Sequence, residues 1–119
     1  MSSSQIPAAL LADLATGLWR LRQRFLDEAG QPQGALRRPL RDVDMLLSRL
    51  REEEIEIQDH TGQAYDPSLS LRVAAFQPMA GVERDRIVET LKPTVYHRQQ
   101  RIQVGEVIVA IPEHRGQGP

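Results

Sequence analysis

The residues with the richest chemistry are the three histidines, His60, His97 and His114, and they stand far apart in the chain. None has a partner at the helical or finger-like spacing that a metal site requires. Asp59, His60 and Asp66 are close enough in sequence to meet around a cation. However, Asp59-His60-Thr61-Gly62 and Tyr65-Asp66-Pro67 are also turn sequences, and turn formation accounts for the same residues. Ser2 to Ser4, Ser48, Ser68 and Ser70 have no neighbouring histidine–acid pattern to activate them. Gly30 and Gly34 follow a helical pattern rather than a strand, so they form no phosphate cradle. Glu52, Glu53 and Glu54 read as a solvated helix end. With no cysteine there is no disulfide, thiolate ligand or cysteine nucleophile. The expectation is no catalytic residue, no metal and no cofactor, which leaves a binding or assembly role.

Charge narrows the partner class. Arg20, Arg22 and Arg24, then Arg37, Arg38 and Arg41, would be the candidates for a nucleic-acid patch. Acids are interleaved with them, no aromatic platform accompanies them, and the formal net charge is −1. They read as ordinary solvated helix faces, and nucleic acid is not the expected partner. The N-terminal stretch MSSSQIPAALLADLATGLW has no basic residue before its apolar part. It falls short of the ~20 apolar residues that cross a bilayer. No signal peptide or membrane span is expected, and the lack of cysteine suits a reducing, cytoplasmic setting.

Two helices must carry whatever the chain presents. From about 7 to 29, Leu11, Leu14, Leu18, Leu21 and Phe25 recur at spacings of 3 and 4, a heptad-like seam widened by Leu10 and Leu26. Ser4 is a candidate cap, and Pro7 is tolerated in a first turn. Gly30, Pro32 and Gly34 stop the helix. From about 35 to 53, Leu36, Leu40, Val43, Leu47 and Leu50 repeat the pattern, with Pro39 in the first turns. Two such seams joined by a short loop predict an antiparallel hairpin whose wide stripes stay half wet. A second copy would cover them in a four-helix bundle. The seam residues are thus the expected dimer interface, with the choice between first helix, second helix and both left open.

After Glu54 the period changes to that of strands. Ile55 and Ile57 alternate with polar residues, and Leu69, Leu71, Val73, Ala75 and Gln77 do so up to Pro78. Arg86 to Lys92 fits a strand or a helical turn. Thr94–Arg98 and Arg101–Gln103 flank a hairpin turn at Gln99-Gln100. Gly105 marks a bulge or bend, and Val107 to Ile111 form a nearly continuous buried strand. Six short strands suggest two small sheets or a squat open barrel. The fold class is therefore α+β: a helical dimerisation region over 1–54, an all-β head over 55–112 and a disordered tail over 113–119.

In this order the parts resemble the GrpE family of nucleotide exchange factors for DnaK-type chaperones. The helix end running into EIEIQDHTG is similar to the family's helix and first strand. YDPSLSLRV resembles its Phe-Asp-Pro segment through Tyr65, Asp66, Pro67, Leu69 and Val73. IVETLKPTVYHRQQRIQVGEVIVA has the length and apolar pattern of its final strands, with Ile87, Val88, Leu91, Ile102 and Val107 to Ala110 falling into place. Ser70 stands where the family has His, and Arg72 where it has Ala. Pro93-Thr94-Val95 replaces Lys-Gly-Tyr, and Gln103-Val104-Gly105 replaces Arg-Pro-Ala.

The resemblance implies a homodimeric co-chaperone in stress response and protein folding, whose head binds the chaperone's nucleotide-binding domain and speeds ADP release. It implies partner contacts at Leu91, Arg98, Gln100, Arg101 and Val109. For Leu91 and Val109 plain β core is an equal alternative. A GrpE-derived dimeric adaptor without exchange activity is the alternative function.

Overall fold

The first helix, α1, spans Ala8–Arg24 and contains no Val or Ile to crowd its turns. These elements belong to a computed structural model that describes residues 6–26, 29–31 and 34–113. Pro7 is the N-cap, and its carbonyl accepts the N–H groups of Leu10 and Leu11 at 3.0 and 3.2 Å. Ser4 and the expected tail beyond Glu113 lie outside the described residues. The helix ends at Arg24, earlier than the expected 29. There Phe25 and Leu26 donate to Arg22 and Gln23, three residues back, tightening the last turn into 3-10 geometry.

A 3-10 turn at Gly34–Leu36 then feeds α2, Arg37–Glu52, so this α-helix begins slightly later than expected. Pro39 sits in its first turn, where a missing N–H is harmless. At the far end Glu54 takes φ 63°, the left-handed conformation that usually falls to glycine after a helix.

Six strands follow: β1 Ile55–Gln58, β2 Arg72–Met79, β3 Arg86–Lys92, β4 Thr94–His97, β5 Gln100–Gln103 and β6 Glu106–Pro112. They form two three-stranded sheets, ordered β1-β4-β5 and β2-β6-β3, rather than a barrel. The expected strand from Leu69 begins only at Arg72. Before it, Asp66 and Ser68 close a turn, and Leu71 donates to the Leu69 carbonyl at 2.8 Å. The hairpin turn is Arg98-Gln99, one residue earlier than expected, with φ of 52° and 70°.

The described residues group into two compact units, Met1–Ile57 with Val95–Ile102 and Gln58–Thr94 with Gln103–Pro119. The change from helical to strand pattern comes after Glu54, whereas compactness joins β1 and the β4–β5 hairpin to the helices. In this first unit Leu11, Ala15, Ile55 and Val95 form the buried cluster, with Leu50, Ile57 and Ile102 packed against it. Leu11 near the start of α1 and Leu50 near the end of α2 thus belong to one cluster. The Arg22 Nε–Asp44 Oδ1 pair at 2.7 Å joins the end of α1 to the middle of α2, so the helices run antiparallel.

In the second unit β6 lies between its neighbours, parallel to β2 and antiparallel to β3. Ile87, Val107 and Val109 are wholly buried, with Tyr65, Leu71, Val73 and Ile111 against them. Irregularities in register shape this sheet. One lies between Val73 and Ala75, and it brings Phe76 opposite Val109. Two lie in β3, between Ile87 and Glu89 and between Thr90 and Lys92. Each inserts a residue, so burial in β3 recurs every third residue, at Ile87 and Thr90. That is why RIVETLK, a strand, also satisfies a helical pattern.

Candidate partner-binding surface

The β4–β5 hairpin places Arg98, Gln99, Gln100 and Arg101 together on an exposed tip, while Ile102 turns inward to the core of the first unit. The tip is held from beneath. Arg98 N–H donates to the Glu54 carbonyl at 2.9 Å, and Arg98 Nε lies 3.8 Å from Glu54 Oε2. Glu54, Arg98 and Gln99 are the non-glycine residues with positive φ among the described residues. All three therefore sit at one junction, where the helical exit is bonded to the turn. Left-handed conformations at ordinary residues cost of order 1–3 kcal/mol each and persist where surrounding contacts fix them. The resulting tip presents two guanidinium groups and two amides from a defined backbone.

The five residues with implied partner contacts do not share one environment. Arg98, Gln100 and Arg101 come together on the hairpin of the first unit. Leu91 and Val109 belong to the second unit. Leu91 is half-buried, and Val109 has no exposed surface, because it packs in one cluster with Ile87 and Val107. Val109 is thus core, a correction to its implied contact role.

The expected dimer residues also divide. Leu11, Leu40 and Val43 are buried inside the chain, and Leu18, Phe25, Leu36, Leu47 and Leu50 are half-buried. Leu14 and Leu21 remain exposed, together with Leu10, Met45 and Leu46. Sequence pattern alone did not show that α1 packs through Leu11, Ala12, Ala15 and Thr16. Ala12 and Ala15, three residues apart on the buried side, were the available signal. On this side an open groove is lined by Trp19, Arg22, Asp44, Leu47, Arg51 and Ile57.

The histidine and its acidic neighbours serve structure. Asp59 Oδ1 accepts the Thr61 N–H at 2.9 Å, and Asp66 Oδ1 accepts the Ser68 N–H at 2.8 Å, each closing a turn. The Ser68 backbone bond, then its hydroxyl, holds the Asp66 carboxyl below the usual carboxylate range. His60 is buried, with Nε2 2.7 Å from Thr94 Oγ1 and Nδ1 3.1 Å from Gln63 Oε1. Its backbone N–H donates to Thr90 Oγ1 at 3.1 Å, and Gly105 N–H donates to Thr94 Oγ1 at 3.2 Å. A Cβ on Gly105 would stand 2.6 Å from Thr94 Oγ1 and 3.2 Å from His60 Cδ2. Gly105 is therefore required for close approach, not for a left-handed bend. His97 is half-buried, and His114 lies outside the described residues.

No helix among the described residues is long and apolar enough to cross a membrane. Neither a scan against protein-family models nor a search of curated proteins finds a match for this chain.

Proposed function

We propose that this protein is a GrpE-type nucleotide exchange factor. As a homodimer it binds the nucleotide-binding domain of a DnaK-type chaperone and promotes ADP release. The observation that supports this reading is the exposed, backbone-locked tip Arg98–Arg101, carried by segments that resemble the family collinearly from the helix end to β6. Several departures from the family pattern leave the surface alone: Pro93, Thr94, Val95 and Gly105 are all buried. No catalytic side chain is needed. A ligand that prefers the chaperone's open cleft shifts its population toward the ADP-releasing state by differential affinity alone. Dimerisation has its support in the outward leucines of α1, which a second copy would cover.

The test is release of labelled ADP from a DnaK-type chaperone of the same cell. Acceleration is expected at saturating protein, with Arg98→Ala plus Arg101→Ala weakening it. No acceleration at saturation contradicts the exchange reading. The exposed departures Ser70, Arg72 and Val104 favour the second reading, a dimeric adaptor without exchange activity. Co-purification with a non-chaperone partner would mark that outcome.

A further inference from the structure

The groove of the first unit runs along the free edge of a strand. Among the described residues β1 ends its sheet, with β4 on one side and no strand on the other. Ile55, Glu56 and Ile57, consecutive in sequence, line the groove together. Side chains alternate across a strand, so a surface that meets three residues in a row follows its edge and not one of its faces. On that edge β1 makes no backbone hydrogen bond among the described residues. Alternate residues of an edge strand turn N–H and C=O groups outward, a template for another chain. The facing wall comes from Trp19 of α1 and from Leu47, Ser48 and Arg51 of α2. The groove encloses about 740 Å³, inside the range of ~300–1,000 Å³ common to binding sites.

The lining states the chemistry of what fits. Trp19, Leu47 and Ile57 are half-buried and supply an apolar floor. Arg22 and Asp44 satisfy each other at 2.7 Å. The side chains of Trp19, Ser48, Arg51 and Glu56 have no hydrogen-bond or ion-pair partner among the described residues. Ser48 and Arg51 are neighbours on α2, one turn apart, and together they offer a hydroxyl and a guanidinium. Such donors match a carboxylate. Glu56 repels a second acid on the strand side. The complement is therefore an extended backbone with apolar side chains and an acid directed at α2. Leu10, Leu14 and Leu21, the surface of the proposed dimer, take no part in this groove.

We infer that the groove binds an extended peptide segment of a partner protein as a strand added to β1. Its apolar side chains rest on Trp19, Leu47 and Ile57, and an acidic residue meets Arg51 and Ser48. The inference goes beyond the proposed function and depends on neither the dimer nor exchange activity.

Trp19 is the one tryptophan of the chain, so its fluorescence reports the groove directly. The full chain is titrated with an acetylated, amidated Val-Thr-Val-Glu-Val-Thr peptide, and a saturable shift in Trp19 emission is expected. Replacing the peptide's Glu by Gln should weaken binding roughly threefold to tenfold, as should Arg51→Ala in the protein. The two changes together should weaken it no more than either alone, because they remove one interaction. Circular dichroism checks that Arg51→Ala is folded. Methylating alternate backbone nitrogens of the peptide tests the ladder. One of the two alternate patterns should abolish binding and the other leave it, since only every second N–H faces β1. Equal binding by both patterns overturns the added strand. No saturable shift at millimolar peptide, or a Gln peptide that binds as tightly as the Glu peptide, overturns the site. Trp19 emission that shifts with protein concentration alone would show the groove closed by a second copy, and overturns it too.

Discussion

In the sheet β2-β6-β3, Ile87, Val107 and Val109 are each fully covered, and burial continues outward through Val73, Leu71 and Tyr65. In α1 only Leu11 of five leucines is buried, and Leu10, Leu14 and Leu21 face outward at 40% exposure or more. Burying an aliphatic side chain contributes about 1.5–3 kcal/mol, which Ile87, Val107 and Val109 realise in full, while the outward leucines of α1, like Phe76 and Met79 of β2, do not. The difference is one of contact, since both regions are rich in aliphatic residues. The second unit completes its core from its own chain. The first closes a small core around Ala15 and Ile55 and leaves Leu10, Leu14 and Leu21 of α1 exposed, the surface that the proposed dimer would cover.

Truncation should separate the two regions most strongly. Ile87→Ala should cost about 2–5 kcal/mol, read as a lower urea midpoint, because it opens a cavity in a filled core. Leu14→Ala should change the stability of a diluted chain by only about 0.5 kcal/mol, as for an exposed position. At high concentration the same variant should lose its dimer. Equal losses from both variants at high dilution would break the comparison.

Next in size is Gly105→Ala. The added methyl group must displace Thr94 and His60, so a loss of about 1–3 kcal/mol in chemical denaturation is expected. A neutral result would show that the hydroxyl and imidazole move aside freely.

The smallest effect is pH-dependent. Asp66 has its folded carboxyl pKa lowered, by the Ser68 N–H first and the Ser68 hydroxyl second. A lowered folded value contributes stability above the unfolded pKa and loses it as pH falls through the folded one. Asp66→Asn should therefore be less stable than wild type at neutral pH, with the gap closing in acid. Urea midpoints at neutral and acid pH check this. A gap that widens in acid would contradict the sign.

Much of this architecture is legible in the order of residues. The turn at Asp59–Gly62 and the final Val-rich strand follow from local chemistry, whereas α1 ends at Arg24, before the glycines and proline expected to stop it. The packed side of α1 was not legible, because a leucine seam outweighs Ala12, Ala15 and Thr16 in any count of hydrophobicity. Packing instead favours the side on which small residues let α1 approach its neighbours. The hairpin turn was expected one residue late, at Gln99-Gln100, since neither Arg98 nor Gln99 advertises a left-handed conformation and the Glu54 carbonyl helps to fix it. Two of the partners of His60, Thr90 and Thr94, stand too distant in sequence for any motif to join them. Of the candidate surface, the arginines of the hairpin were readable from the strand pattern, while Val109 needed the register of β6 to show that it is core.

The most direct test of this contrast is the mass of the wild-type chain by sedimentation equilibrium across micromolar concentrations. The outward seam of α1 predicts a reversible dimer of twice the 13.4 kDa chain mass. A single species of 13.4 kDa throughout that range would contradict it.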